Sequence, residues 1–225
     1  GKSFSYDYLI LAAGSGSTYF GHEDWRSIAP PMKILEHAAE IRRRLLMSLE
    51  QAEQTPNPKE REFLQTVVIV GGGPAGCELA GAVSELMRNA MAKDFKQVDI
   101  SRTRIVLVDP GDRVLRAMDP LLSEAAGAHL KSVGIEFLFQ GRVQSIVPGE
   151  VLVGTPNGDV RIKAANVFWT AGVRASHLGK SLAESTGCQL DRGGRVVVEP
   201  DFSIPGHPEI RVVGDLCSYS HTSDG

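Results

Sequence analysis

The run VVIVGGGPAGCELAGAVSEL, residues 67–86, constrains this chain more than any other stretch. Val67, Val68, Ile69 and Val70 make a short β-branched segment of the kind that forms a buried strand. A loop almost without side chains follows, and then an apolar stripe of Leu79, Val83, Leu86, Met87, Ala90 and Met91 that predicts a helix from about Gly76. Gly71, Gly73 and Gly76 satisfy G-x-G-x-x-G, and each has a mechanical task. Gly71 permits the tight turn out of the strand, Gly73 lets backbone approach a pyrophosphate, and Gly76 lets the helix pack close on the strand. Backbone N–H groups and the positive end of the helix dipole then hold an anion without a cationic side chain. The motif is weak when isolated, but here it sits between a strand and a periodic helix, the context that gives it meaning. Gly71, Gly72, Gly73, Pro74, Ala75 and Gly76 are therefore the expected cradle of a dinucleotide.

A second check is an acid at the end of the next strand. Asp109 closes RIVLVD and has the right type and position to accept hydrogen bonds from ribose hydroxyls. The gap from Gly76 is longer than the ~20 residues usual for this motif. A polar excursion from about Lys93 to Arg104 would absorb the surplus as a longer helix and loop. A simple strand-end acid is the alternative, and Asp99 or Asp112 could take the ribose role instead. A carboxylate there repels a 2′-phosphate, which favours NADH over NADPH, although Arg113 is close enough in sequence to soften that preference.

The flanking pattern is α/β with a parallel sheet. YDYLILAAGSGS is a short strand ending in a Gly/Ser loop. Pro30 and Pro31 precede a helix marked by Ile34, Ala38, Ile41, Leu45, Leu49 and Ala52, with Arg42, Arg43 and Arg44 on its solvated face. QTPNPKEREF reads as a polar connector. Ile105–Val108 is a second buried strand, Pro120–Val133 a helix stopped by Gly134, and IEFLF a third strand. Pro148-Gly149 and Asn157-Gly158 then punctuate short strands, which predicts a β-meander. Val167–Thr170 leads into Ala171-Gly172, and Ile210–Val213 leads into Gly214-Asp215.

Composition excludes several classes. The 225 residues include 24 Lys and Arg against 27 Asp and Glu, a formal charge of −3. That gives no basic surplus for nucleic acid or for a polybasic membrane surface. The longest apolar runs are too short to cross a bilayer. GKSFSYDYLIL reads as a strand and not as a signal peptide, so the true start is expected upstream. Cys77, Cys188 and Cys217 form neither a CxxC pair nor a zinc spacing, and read as small buried residues in a reducing cytosol. The histidines show no paired ligand spacing, so no metal is expected.

The order strand-AAG, connecting helix, GGGPAG, meander, WTAG and VVGD resembles the flavin-dependent pyridine-nucleotide reductases, in which an NADH domain is inserted into an FAD domain. YFGHEDW, PMKILEHAAEIRRRLL, GCELAGAVSEL and VFWTAGVRAS resemble, more narrowly, the type II single-subunit NADH:quinone oxidoreductases. The likeness covers nearly the whole chain. It implies a Rossmann-like NAD(P)-binding domain with a meander insertion, flanked by partial FAD-domain segments. The implied divisions are residues 1–30 (FAD segment), 31–65 (connecting helix and linker), 66–175 (NADH domain) and 176–225 (returning FAD segment).

The same resemblance implies roles. Gly214 and Asp215 match the Gly-Asp that holds the FAD ribityl and pyrophosphate region. Gly14 matches a strand-ending glycine near FAD, and Gly172 its counterpart closing the NADH domain. Glu78 matches a glutamate beside the nicotinamide and the isoalloxazine; from the residues alone it reads equally as an acid complementing the helix dipole. The implied cofactors are FAD and NADH, and the implied reaction passes hydride from NADH to FAD and electrons to a quinone. A second glycine loop for FAD does not occur, nor do the quinone-site glutamines or a membrane-lying amphipathic helix. The chain is therefore expected to be a piece of a longer enzyme, cytoplasmic and peripheral on the inner face of the membrane, with membrane contact only through the missing C-terminal part. A homodimer is left open. Another reductase of this fold, ferredoxin-type or disulfide, and a non-catalytic nucleotide-binding module are the competing readings.

Overall fold

The computed structural model describes residues 2–87 and 95–219. In chain order, β1 (Leu9–Leu11) and β2 (Ser15–Ser17) precede α1 (Leu35–Gln54), α2 (Pro58–Leu64), β3 (Thr66–Val70) and α3 (Pro74–Glu85). Then come β4 (Arg104–Asp109), α4 (Pro120–Ser132), β5 (Ile135–Phe139), β6 (Arg142–Val147), β7 (Glu150–Thr155), β8 (Gly158–Lys163) and β9 (Asn166–Trp169). The chain closes with β10 (Val173–Ala175), α5 (His177–Thr186), β11 (Val196–Val197), β12 (Ser203–Ile204), β13 (His207–Val212) and β14 (Cys217–Ser218). It divides into two compact units, residues 19–172 and residues 1–18 with 173–225.

In the larger unit a four-stranded sheet runs β5-β4-β3-β9, every neighbouring pair parallel. β3 is buried at all five positions, as its unbroken β-branched run requires of a strand covered on both faces. One face packs Val67, Ile69, Leu107 and Phe168 against Leu45, Leu49, Leu79 and Val83 of α1 and α3. The other packs Val68, Val70, Val106 and Trp169 against Val151, Val153 and Ile162 of the meander β6-β7-β8. The meander turns at Gly149 and Gly158, which have φ of +85° and +111°, so the predicted hairpin positions hold.

Four details differ from the sequence expectation. The polar connector contains α2, because Asn57 caps it by accepting from Lys59 N–H at 3.0 Å and Pro58 occupies its first turn. Arg44 is not simply solvated, since its guanidinium donates to Ile28 O at 2.7 Å and Ser27 O at 2.9 Å and ties α1 to the preceding loop. The predicted excursion is partly buried at Val98 and Ile100, with Glu53 accepting from the N–H groups of residues 96, 97 and 98. Ala90, Met91 and the start of that excursion lie outside the described residues. Residues 19–30 pack within the larger unit, where the Tyr19 ring stacks on Trp169 at 5.0 Å and its hydroxyl donates to Ala29 O at 2.7 Å.

The smaller unit joins the two ends of the chain. β1 pairs in parallel with β13, Leu9 opposite Ile210 and Leu11 opposite Val212, and β10 pairs antiparallel with β2. Leu182 of α5, a helix the sequence reading missed, packs with Val196, Ile204, Ile210, Val212 and Leu216 in its core.

Candidate functional site

In the larger unit the glycine loop lies at the carboxyl end of β3, where open parallel sheets bind their ligands. The loop is held from three sides. Gly71 N–H donates to Val108 O at 2.8 Å, and Leu115 N–H donates to Gly72 O at 2.8 Å. The Thr170 hydroxyl is shared between Val70 O at 2.8 Å and Gly71 O at 3.0 Å. Thr170 was missed as a site residue. The only signal for it was its place in WTAG, at the end of a strand next to the loop.

The three glycines differ in what a side chain would meet. Gly71 has φ of +113°, and a Cβ there would lie 2.7 Å from Ala171 N. A Cβ on Gly76 would collide with Gly71 O and lie 2.7 Å from Thr170 Oγ1. Gly73 is open, with nothing within 4 Å of its Cβ position. Two glycines thus serve packing and one leaves a space beside the backbone, as the motif predicts. Pro74 takes the first helical position, and Ala75 and Gly76 precede the first helical bond, from Cys77 N–H to Gly73 O at 3.0 Å. The N–H groups of such a first turn point outward and complement negative charge.

Asp109 does more than end its strand. Its Oδ2 accepts from Gly72 N–H at 2.6 Å and its Oδ1 from Gly111 N–H at 2.7 Å. A carboxylate has about four acceptor positions, so both oxygens retain capacity for further donors. Arg113 is not the cation at this turn. It lines a cavity on the flank of the unit, while the Arg116 side chain lies over Gly111, where a Cβ would collide with it. Glu78 sits exposed on α3, and Gly172 ends the unit with φ of +81°.

Cys77 follows Gly76 with its Sγ 3.6 Å from Gly72 O. Burial pushes its thiol up to about 11, with the Asp109 and Glu78 carboxylates adding to the rise. The raised value keeps the thiol protonated at pH 8, and the thiolate is the reactive form. Alkylation of Cys77 by iodoacetamide at pH 8, followed by mass spectrometry, is expected to run about a hundredfold slower than for an ordinary exposed cysteine. A rate equal to that of a free thiol would contradict the burial. Among the described residues no group of three or more His, Cys, Asp or Glu is placed to hold a metal ion.

In the smaller unit the carboxyl ends of β1 and β13 lie side by side, which brings Gly14 and Gly214-Asp215 to one end of that sheet. Gly14 and Gly214 have φ of +64° and +70°, and neither would meet anything within 4 Å of a Cβ. Ser15, unremarked in the sequence, donates its hydroxyl to Asp215 Oδ2 at 2.6 Å.

A parallel sheet with a glycine loop at the end of one strand and an acid at the end of the next is the Rossmann-like arrangement, here with helices on one face and the meander on the other. The chain belongs to the pyridine nucleotide-disulphide oxidoreductase family, whose model matches residues 1–224. It is 41% identical over 214 residues to the type II NADH:quinone oxidoreductase Ndh of Mycobacterium tuberculosis, covering 95% of this chain and 46% of that relative. It is 26% identical to the external NADH-ubiquinone oxidoreductase 2 of Saccharomyces cerevisiae, covering 97% of this chain and 40% of the relative. The chain thus spans less than half the length of these two relatives. NDH2 of Plasmodium falciparum, solved in complex with NADH, superposes with a TM-score of 0.84 at 19% identity, over 96% of this chain and 45% of that one. Putidaredoxin reductase in its covalent complex with putidaredoxin superposes at 0.70 with 22% identity, over 99% of this chain and 46% of that one. At those identities the two structures speak for the fold alone.

Proposed function

We propose that this chain is the NADH-binding part of a flavoprotein NADH:quinone oxidoreductase. The observation that carries the reading is the 41% identity, over 95% of the chain, to a relative named for that activity. The residues fit both cofactors. The open space at Gly73 and the first turn of α3 suit a pyrophosphate, with Asp109 at the adenosine ribose. Gly14, Gly214 and Asp215 would hold FAD, since two left-handed glycines without neighbours let a ligand approach the backbone closely. When bound, FAD would supply the acceptor for nicotinamide hydride and the electrons for quinone reduction. This chain's own residues bind, orient and keep water away. Residues 19–172 are the NADH domain in this reading, and residues 1–18 with 173–225 are FAD-domain segments. Among the described residues no helix is long and apolar enough to cross a membrane. Peripheral attachment to the inner face of the membrane, through parts of the enzyme outside this chain, belongs to the proposal. Dimerisation belongs to the same proposal.

Two measurements test it. Calorimetric titration of the chain with NADH is expected to give saturable binding, and its absence would sink the reading. Glu78 is proposed to face the nicotinamide from α3. Glu78→Gln in the FAD-loaded enzyme should change the stopped-flow rate of flavin reduction while thermal unfolding stays at the wild-type temperature. Equal rates and equal NADH affinity would leave Glu78 a surface acid.

A further inference from the structure

The larger unit has a second concavity, on its flank and apart from the glycine loop. It lies between α4, the segment joining β4 to α4, and the strand β5 at the edge of the sheet, and its volume is about 500 Å³. That size suits a small-molecule site. One wall is flat and apolar, because Phe137 and Phe139 are two positions apart on β5 and share a face. Their rings stack with centroids 4.9 Å apart and planes 11° apart.

Two cations meet this wall, Arg113 and Lys131. Arg113 Nε is buried without a hydrogen-bond partner, a costly arrangement that calls for an acceptor. Neither cation forms an ion pair among the described residues. Glu124 is the single carboxylate on the lining, and it is exposed. Gly127 stands in the interior of α4, where glycine is unfavourable. A Cβ there would meet only Val114 Cγ2, at 3.9 Å, so the missing side chain keeps the cavity open.

We propose that this cavity binds a small aromatic anion, its ring against Phe137 and Phe139 and its carboxylate or equivalent group on Arg113 and Lys131. A guanidinium presents paired donors that match a carboxylate, and an ammonium adds a point charge. The site does not depend on the dinucleotide reading, since no residue of it belongs to the glycine loop. It does share a segment with that loop: Arg113 and Val114 run directly into Leu115, whose N–H holds Gly72 O.

The test uses 2-naphthoate and its neutral analogue 2-naphthamide, titrated calorimetrically into the 225-residue chain. The acid is expected to bind saturably and at least about tenfold more tightly than the amide, because charge-assisted hydrogen bonds are the stronger kind. Lys131→Met, at an exposed position that the fold does not need, should weaken the acid several-fold and leave the amide unchanged. Gly127→Leu fills the space and suits a helix, so it should abolish binding of both while the far-ultraviolet circular dichroism stays that of the wild type. No saturable binding, equal affinity for acid and amide, or undiminished binding by Gly127→Leu would each overturn the proposal.

Discussion

Gly76→Ala should lower unfolding stability by about 3 kcal/mol and remove measurable NADH binding, the more severe outcome of a matched pair of variants. The added methyl has nowhere to go. Its nearest neighbour is the Gly71 carbonyl, which is backbone, and next comes Thr170 Oγ1 at 2.7 Å. Overpacking of this kind typically costs about 1–3 kcal/mol. Here it also pushes apart the loop and the end of β9, which the Thr170 hydroxyl joins. Gly73→Ala is the contrasting half. Nothing lies within 4 Å of its Cβ position, and its φ of −75° and ψ of −176° suit any residue. That variant should unfold within about 1 kcal/mol of wild type, the scale of a helix-cap change. It should nevertheless lose at least about tenfold in NADH affinity, because the methyl enters the space proposed for the pyrophosphate. Urea unfolding and calorimetry on both variants separate packing from binding. Equal stability of the two would refute the assigned division of labour.

Asp109→Asn should relax the preference for NADH and loosen the loop together. In the proposed complex the carboxylate accepts from the ribose hydroxyls, and such charge-assisted bonds contribute roughly 1.5–3 kcal/mol. Against NADPH the same carboxylate faces a phosphate dianion, so discrimination has an attractive and a repulsive part. The structure adds a further effect. Asn has one acceptor oxygen, yet two backbone donors, Gly72 N–H and Gly111 N–H, now converge on the side chain. One of them loses its partner, at a cost of about 1–3 kcal/mol. NADH affinity should therefore fall about tenfold or more, and the ratio of NADH to NADPH affinities should shrink, with Arg116 over the turn available to the phosphate. An unchanged ratio, measured by titrating both nucleotides, would leave Asp109 as a clamp on the loop and nothing else.

The motif around residues 67–76 was legible because its demands are local. A buried strand, a turn and a helix start are each written in neighbouring residues, and the three glycines behave as their spacing requires. The meander was legible for the same reason, since its turns fall on Gly149 and Gly158. What the sequence hid was non-local. Thr170 acts on a loop far from it in sequence, and no periodicity marks a hydroxyl that bridges two carbonyls. Arg113 and Arg116 sit three positions apart in a loop, and only its conformation, with Leu115 at a φ of +50°, decides which one reaches the Asp109 turn. The helix α2 was hidden differently. Its Asn-Pro start looked like a breaker, although the same pair is a cap followed by a first-turn proline.

The pairing of β1 with β13 has a kinetic meaning. Ser15 and Asp215, joined by a hydrogen bond beyond the ends of those strands, are 200 positions apart in sequence. Contacts of such long range form late, because a large loop must close before they repay its entropy. The larger unit closes shorter loops, and its strands and helices are all supplied by residues 19–172. During synthesis it can condense while the first strand of the smaller unit still waits for a partner some two hundred residues away. Until β13 leaves the ribosome, the apolar Leu9 and Leu11 stay without the strand they pair with and the core they pack against.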